Sequence, residues 1–523
     1  MKRITLIALL SGLGIIAAQA GNNTAEKDSS PSYKISNEVL KETNFRNAPW
    51  MESNNTAGLA FRPFEMYKDL NINYENNAGE FRKQQEAAKR NNVTLNTSGS
   101  TYIGKFLVWG RFSFRNIFDK GCNMNALMYE IDEDMPYYPI DTTKNSGWQK
   151  QEYDLQAKLA SPVLWDRVSF GVDVRYINKV GAKQLDPRAE TYKYSLNIKP
   201  SVAIQLGQSL IGLSGIYQNG FERSDPSNEN NWVDQAVYLH KGLGESIRGK
   251  VGRNDGIKDY MFSNNIFGGA LQYGYAGNAE LLADLSFLKS ITHVISNPDL
   301  PFKEGSTDKT DIQGKITLLF GQNKSNRLWI DGQYKTTAGT EYIQKITTES
   351  ATNQYYMVIS QNNMSKFTSM VASFGYDHQF GAGDPKGYDW IVGANGDFLM
   401  RNEIYFLPES RFNATTAFAN VFGGKQFKFK SSSLLVKLNG GYGLGLGSNY
   451  TFTGKNATYI PVQMYRNNSE YYKTGYAKAG GHISYTLNTK KIGYVFNVMA
   501  DYIKPMGFDT DRIIAKASFG IVF

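Results

Sequence analysis

Along most of the chain polar and apolar residues alternate with a period of two, the spacing of a strand with one greasy and one polar face. The sharpest case runs from Arg167 to Tyr176. Val168, Phe170, Val172, Val174 and Tyr176 share one parity, and Arg167, Ser169, Gly171, Asp173 and Arg175 the other. Lys105 to Arg115 is built alike, with Phe106, Val108, Gly110, Phe112 and Phe114 set against Leu107, Trp109, Arg111, Ser113 and Arg115. The closing stretch places Ile513, Ala515, Ala517, Phe519, Ile521 and Phe523 opposite Arg512, Lys516, Ser518 and Gly520. Between such runs the connections alternate in length. Tight turns fall at Gly207-Gln208, Ala276-Gly277-Asn278, Gln322-Asn323-Lys324 and Gly381 to Pro385; long polar stretches fall at Asn116 to Lys150, Asn219 to Gly256 and Asn449 to Lys473. Thr340 to Met364 reads as the extended tops of two strands with a loop.

Alternating strands with short connections on one side and long ones on the other predict an all-β chain, a transmembrane antiparallel β-barrel of about fourteen to eighteen strands, even in number. A secreted chain of several β-sandwiches would also give many strands. It would not give the regular short and long alternation, nor lone charges confined to one parity. An arginine at mid-bilayer on the lipid face costs about 2 to 4 kcal/mol, so the charged parity is assigned to the lumen. Lumen candidates are Arg111, Arg115, Arg167, Asp173, Arg175, Lys315, His482 and Lys516. The last strand is expected to close the barrel against Asp69 to Tyr74.

Residues 1–20 have the three parts of a secretory leader: Lys2 and Arg3, an apolar run from Ile4 to Ala17, and the small-residue site Ala18-Gln19-Ala20. Residues 21–63 are polar and asparagine-rich. They predict a periplasmic extension or a lumen plug, with Phe45, Trp50 and Met51 needing somewhere to pack, and residues 64–523 then form the barrel.

An alternating strand that ends on an aromatic residue, here Phe519, Ile521 and Phe523, resembles the C-terminal assembly signal of Gram-negative outer-membrane β-barrels. The leader, the barrel length and the long Asn/Tyr-rich loops resemble barrels of Bacteroidota-like outer membranes. In size and layout there is a looser similarity to FadL-type transporters, which implies an N-terminal hatch inside the pore. The resemblance implies location in the Gram-negative outer membrane, contact with its lipid and lipopolysaccharide, and delivery by the barrel assembly machinery.

Composition changes this picture little. Tyrosine (33) and phenylalanine (30) are abundant, as strands and membrane-interface girdles require, and Tyr450, Tyr459, Tyr465, Tyr471 and Tyr472 are girdle candidates. The net charge is +9, but Lys and Arg are dispersed and no nucleic-acid-binding spacing accompanies them, so no nucleic-acid partner is expected. Cys122 is alone, so no internal disulfide forms.

Candidate chemistry is sparse. Glu130, Asp132, Glu133 and Asp134 could hold a hard cation through oxygen ligands, but they lack the EF-hand spacing, and a solvated acidic loop is the plainer reading. The four histidines show no metal-ligand spacing, so no metal site and no cofactor are expected. His482 and Ser484 are similar to the His-x-Ser pair of outer-membrane phospholipases. That family turns the pair toward lipid, whereas here it shares the polar parity of Lys478 and Thr486. The chain is therefore expected to be no enzyme. Three functions are carried forward: a channel or facilitated transporter for an unidentified solute, a non-conducting accessory subunit working with other outer-membrane or lipoprotein subunits, and, last, a lipid hydrolase.

Overall fold

The computed structural model describes residues 37–522 apart from 125–126, 231, 253–255, 258, 298–299, 351–352, 490–491 and 508–509. The expected leader (residues 1–20), residues 21–36 of the N-terminal extension, and Phe523 lie outside the described residues.

Eighteen strands form one closed antiparallel barrel in which each pairs with its neighbours along the chain. The circle closes where the first strand, Lys68–Gly79, meets the last, Arg512–Val522, in the register Asp69↔Val522 through Gly79↔Arg512. An even number of antiparallel strands returns the chain to the side from which it started, so both ends of the barrel lie together. The alternation read from the sequence sorts side chains between two environments. Ile72, Phe170, Leu213, Leu285, Phe287 and Val498 all stand exposed on the outer surface. A continuous apolar belt of this size is what a bilayer covers. Charges and amides point inward. No helix among the described residues is long and apolar enough to cross a membrane.

The hairpin formed by Asn326–Ser350 and Asn353–Phe380 outgrows its neighbours. The strand before it joins only from Ser306↔Thr340 and the strand after it only from Ser365↔Tyr405, so the top of the hairpin projects as a two-stranded ribbon. This agrees with the reading of Thr340 to Met364 as strand tops.

At the short-turn end the lumen is filled by the segment that precedes the barrel. Helix α1, Glu38–Arg46, starts at Asn37, whose side chain accepts the Leu40 N–H at 2.8 Å and so satisfies one of the free donors of the first turn. Two short 3₁₀ turns follow, Pro49–Met51 and Ala57–Ala60. The segment touches walls far apart on the circle. Lys41 meets Asp69 at 2.5 Å, Glu42 meets Lys437 at 2.6 Å and Arg46 meets Asp377 at 2.6 Å. The Asn54 N–H donates to Asp284 at 2.7 Å, and Lys158 donates to the Met51 carbonyl at 2.6 Å. Only a segment inside the barrel can reach all five. Trp50, 1% exposed, anchors an apolar cluster with Met51, Leu59 and Tyr67 against Leu107, Trp109, Leu210 and Leu282. Gly58 and Gly274 make room for it, since a β-carbon on either would run into the indole.

The long-loop end departs from expectation. The strand Phe106–Cys122 runs further than the sequence indicated, and the chain then turns inward instead of outward, so that Leu127, Tyr129, Tyr137 and Ile140 are fully buried. The stretch read as a second outer loop contributes the hairpin Gln235–Gly242 and Glu245–Val251, which joins Tyr138–Asp141 in a separate three-stranded sheet. The third loop carries helix α2, Ile460–Lys473. Tyr465 and Tyr472 pack on Phe412 inside this end, with Tyr450, Tyr459 and Tyr471 against the same cluster, so these tyrosines form an internal core and not a membrane girdle. Their side chains have more apolar surface to bury against each other than against the barrel rim, and a local sequence gives no sign of that choice.

Candidate functional site

Between the N-terminal filling and the loop layer the inner wall is lined by charge. On the strands Phe106–Cys122, Ser146–Ala160 and Val168–Lys183, each of three carboxylates is shared by two cations. Asp119 takes Arg90 at 2.6 Å and Lys150 at 3.1 Å. Glu152 takes Arg115 at 3.7 Å and Lys179 at 3.3 Å. Asp154 takes Arg111 at 3.0 Å and Arg175 at 2.7 Å. The side chains of Arg111, Arg115 and Arg175 remain 35%, 41% and 43% exposed, though they lie inside the barrel, so water reaches them.

The acidic stretch Glu130 to Asp134 crosses this lumen, and its side chains are paired with cations from several parts of the wall. Glu130 meets Lys179 at 3.2 Å, and Asp132 meets Lys309 at 3.2 Å. Glu133 meets Arg401 at 2.9 Å and also Lys83, while Asp134 lies 3.4 Å from both Lys335 and Arg401. Burial alone would raise the Glu130, Asp132 and Glu133 carboxyls, yet Lys179, Lys309, and Lys83 with Arg401 outweigh it and hold all three below the ordinary range. The stretch is thus drawn inward by the basic wall instead of standing outside the barrel, although the Glu130 and Asp132 side chains stay 46% and 55% exposed to the water there. No group of three or more metal-ligating side chains forms a cation site among the described residues. Beside this stretch lies a cavity of about 560 Å³, lined by Lys83, Arg90, Tyr129, Glu133, Tyr465 and Arg512 among others. A smaller one of about 150 Å³ lies across it, next to Lys193 and Lys309.

The lumen candidates are placed as follows. Arg111, Arg115 and Arg175 belong to the charged wall. Asp173 lies lower, 3.7 Å from Lys158, where the wall meets the N-terminal segment. Lys315 is bonded to Glu52 of that segment, and Lys516 meets Glu75 at 2.9 Å on the adjacent strand. His482 faces inward beside Lys437, and Ser484, on the same face, is buried with its hydroxyl unpartnered; Ile483 between them is 51% exposed on the outside. Arg167 is a correction. It has the inward parity but stands exposed in the turn before Val168–Lys183, at the outermost rung of the ladder, where its carbonyl accepts the Gln205 N–H at 2.8 Å. Phe519 lies on the outer face and packs on Phe496 at 5.0 Å, with Ile521 two residues on. Lys83, Lys179, Lys309, Lys335 and Arg401 escaped the sequence reading. Four of them are strand residues that parity alone would have found, but the carboxylates they serve arrive from another part of the chain.

His240 holds the inner sheet in place. Its Nδ1 donates to the Pro136 carbonyl at 2.8 Å and its Nε2 accepts the Gly244 N–H at 3.0 Å, which fixes a neutral ring. Complete burial pushes its pKa down to about 3. A depressed histidine contributes stability that is full above the unfolded value of about 6.5 and is lost as pH falls toward the folded value. The inner sheet is therefore expected to lose amide-exchange protection as pH drops below about 6.5. His240→Asn should flatten that dependence; an unchanged pH profile would assign it to the lumen carboxylates.

A closed eighteen-stranded barrel with an outward apolar belt and an internally filled, charged lumen defines a transmembrane β-barrel protein. Residues 56–523 match the family described as "Family of unknown function (DUF6850)", and the chain belongs to that family. No curated protein matches the sequence. Among solved structures it is similar to the ferric citrate transporter FecA in its unliganded form, at 9% identity over 87% of this chain and 78% of that one, with a TM-score of 0.36. For the copper transporter OprC the values are 9%, 87%, 80% and 0.37. For a Pseudomonas aeruginosa FadL homologue they are 10%, 95%, 98% and 0.34. Scores at this level mark neither shared cargo nor shared mechanism.

Proposed function

We propose that this protein is a channel or facilitated transporter of a Gram-negative, Bacteroidota-like outer membrane, closed at rest by two parts of its own chain. The observation that supports this most is the water-accessible charged wall enclosed between them. A barrel serving only as a scaffold has no need of solvent-exposed arginines in its interior, whereas a solute path does. Both seals meet the wall through polar contacts: Glu42, Arg46 and Asn54 at one end, Glu130 to Asp134 at the other. The short turns face the periplasm in this reading, so residues 37–62 seal the periplasmic mouth. Lipopolysaccharide surrounds the long-loop side, and the assembly machinery inserts the barrel from its last strand. In planar bilayers the full-length protein is expected to show infrequent, discrete openings with solute flux in liposomes; a barrel silent under every voltage and solute tried would overturn the proposal.

The accessory-subunit reading is favoured by one observation, the ribbon beyond Thr340 and Ser365, which exposes Ile343, Met357 and Ile359. Crosslinking after gentle extraction tests it, and exclusively monomeric protein would count against it. No catalytic role is proposed for His482 and Ser484.

A further inference from the structure

We infer that the lumen is built to receive an anionic solute, carboxylate or phosphate in chemistry, and that Glu130 to Asp134 occupies the place of that solute at rest. This deepens the transport reading and rests on it for movement of the solute, though not for its binding. Each of Asp119, Glu152 and Asp154 is shared by two cations, so the wall carries a positive surplus at three successive levels. Charges of one sign in a cleft with low-dielectric walls focus the field and raise the local concentration of the opposite ion. Arg175 already grips Asp154 through two nitrogens, at 2.9 and 2.7 Å, the fork geometry that suits a carboxylate or phosphate.

The chain itself supplies an anion to this surface. Four carboxylates from one short stretch engage Lys83, Lys179, Lys309, Lys335 and Arg401, which come from separate strands and a loop. Lys179 is contested directly, since it lies 3.2 Å from Glu130 of the inserted stretch and 3.3 Å from Glu152 of the wall. A mobile polyanion can therefore compete for the same cations and lift the stretch away from the cavity of about 560 Å³ that it borders.

The test is calorimetric titration of the full-length protein in detergent with three probes: inorganic tripolyphosphate, propane-1,2,3-tricarboxylate and spermine. Binding of either anion but not spermine is expected, and the stronger of the two anions names the headgroup. The variant E130Q/D132N/E133Q/D134N should bind the anions about ten-fold more tightly, and R111Q/R115Q/R175Q about ten-fold more weakly. Preference for spermine, no binding by either anion, or a neutralised stretch that binds no better than the parent overturns the inference. Heat-modifiable migration confirms that each variant is a folded barrel, and the three-probe comparison on the unmodified protein stands if a variant is not. Reversal potentials under a salt gradient separate the two proposals. Anion binding without any current leaves this inference standing and removes transport, while a cation-selective current does the reverse.

Discussion

Deleting residues 37–62 is expected to raise single-channel conductance in planar bilayers by about ten-fold or more, because an unfilled barrel of sixteen to eighteen strands leaves an aqueous channel and only the loop layer, with its cavity, then obstructs it. The two fillings differ in kind. The loop layer packs an apolar core of its own against the wall but leaves a cavity of about 560 Å³ lined by charge. The N-terminal segment packs Trp50, Met51 and Leu59 as a dry cluster against the barrel, and on the proposed reading that cluster is the tighter seal. The wall groups it would abandon, Asp284, Asp377 and Lys158, would then be solvated by the water that replaces it, so the barrel should still form. A milder version is Arg46→Glu. The Arg46 and Asp377 side chains are 3% and 2% exposed, and breaking a buried pair costs about 3 to 5 kcal/mol, which should release α1 and give intermediate, flickering conductance. A deletion variant as tight as the parent would move the seal to the loop layer.

Lys183→Met is expected to detach the inner sheet while leaving the barrel intact. Lys183 and Asp141 form an ion pair in which both side chains are fully buried, and Lys183 also donates to the Pro187 carbonyl at 3.0 Å. Burial already raises the Asp141 carboxyl against the pull of Lys183. Without the ammonium the carboxylate is stranded, at a cost of about 3 to 5 kcal/mol, more than a strand of four residues gains by pairing. Limited proteolysis should then cut between Cys122 and Ser146 faster than in the parent, where Leu127, Tyr137 and Ile140 are buried. Lys183→Met with Asp141→Leu removes both charges and should restore most of the protection, because a buried pair replaced by apolar residues is often close to neutral. Equal protease sensitivity in the single and double variants would mean that the pair does not hold the sheet.

The barrel wall was legible in the sequence because its rule is local. Val168 to Tyr176 and Phe106 to Arg115 alternate with no reference to the rest of the chain, and a one-residue slip would turn every charge toward lipid. Closure was legible too: the strand around Asp69 to Tyr74 pairs with the last strand as the even count requires. The lumen was harder. Arg167 shows why, since parity says which way a residue points but not whether it sits within the lumen or in the turn at its rim.

The two-faced wall follows from local order alone, because lipid and lumen each impose their polarity residue by residue along a strand. The content of the lumen, by contrast, follows only from closure of the barrel. Glu130 to Asp134 read as a solvated loop and the tyrosines of the third loop as a girdle, because their partners, Lys179, Lys309, Arg401 and Phe412, are brought near by closure of the barrel and by no local pattern. Ion pairs and aromatic packing between segments 49 to 268 residues apart leave no periodic trace, so the seals and the charge they cover appear only when the circle is complete.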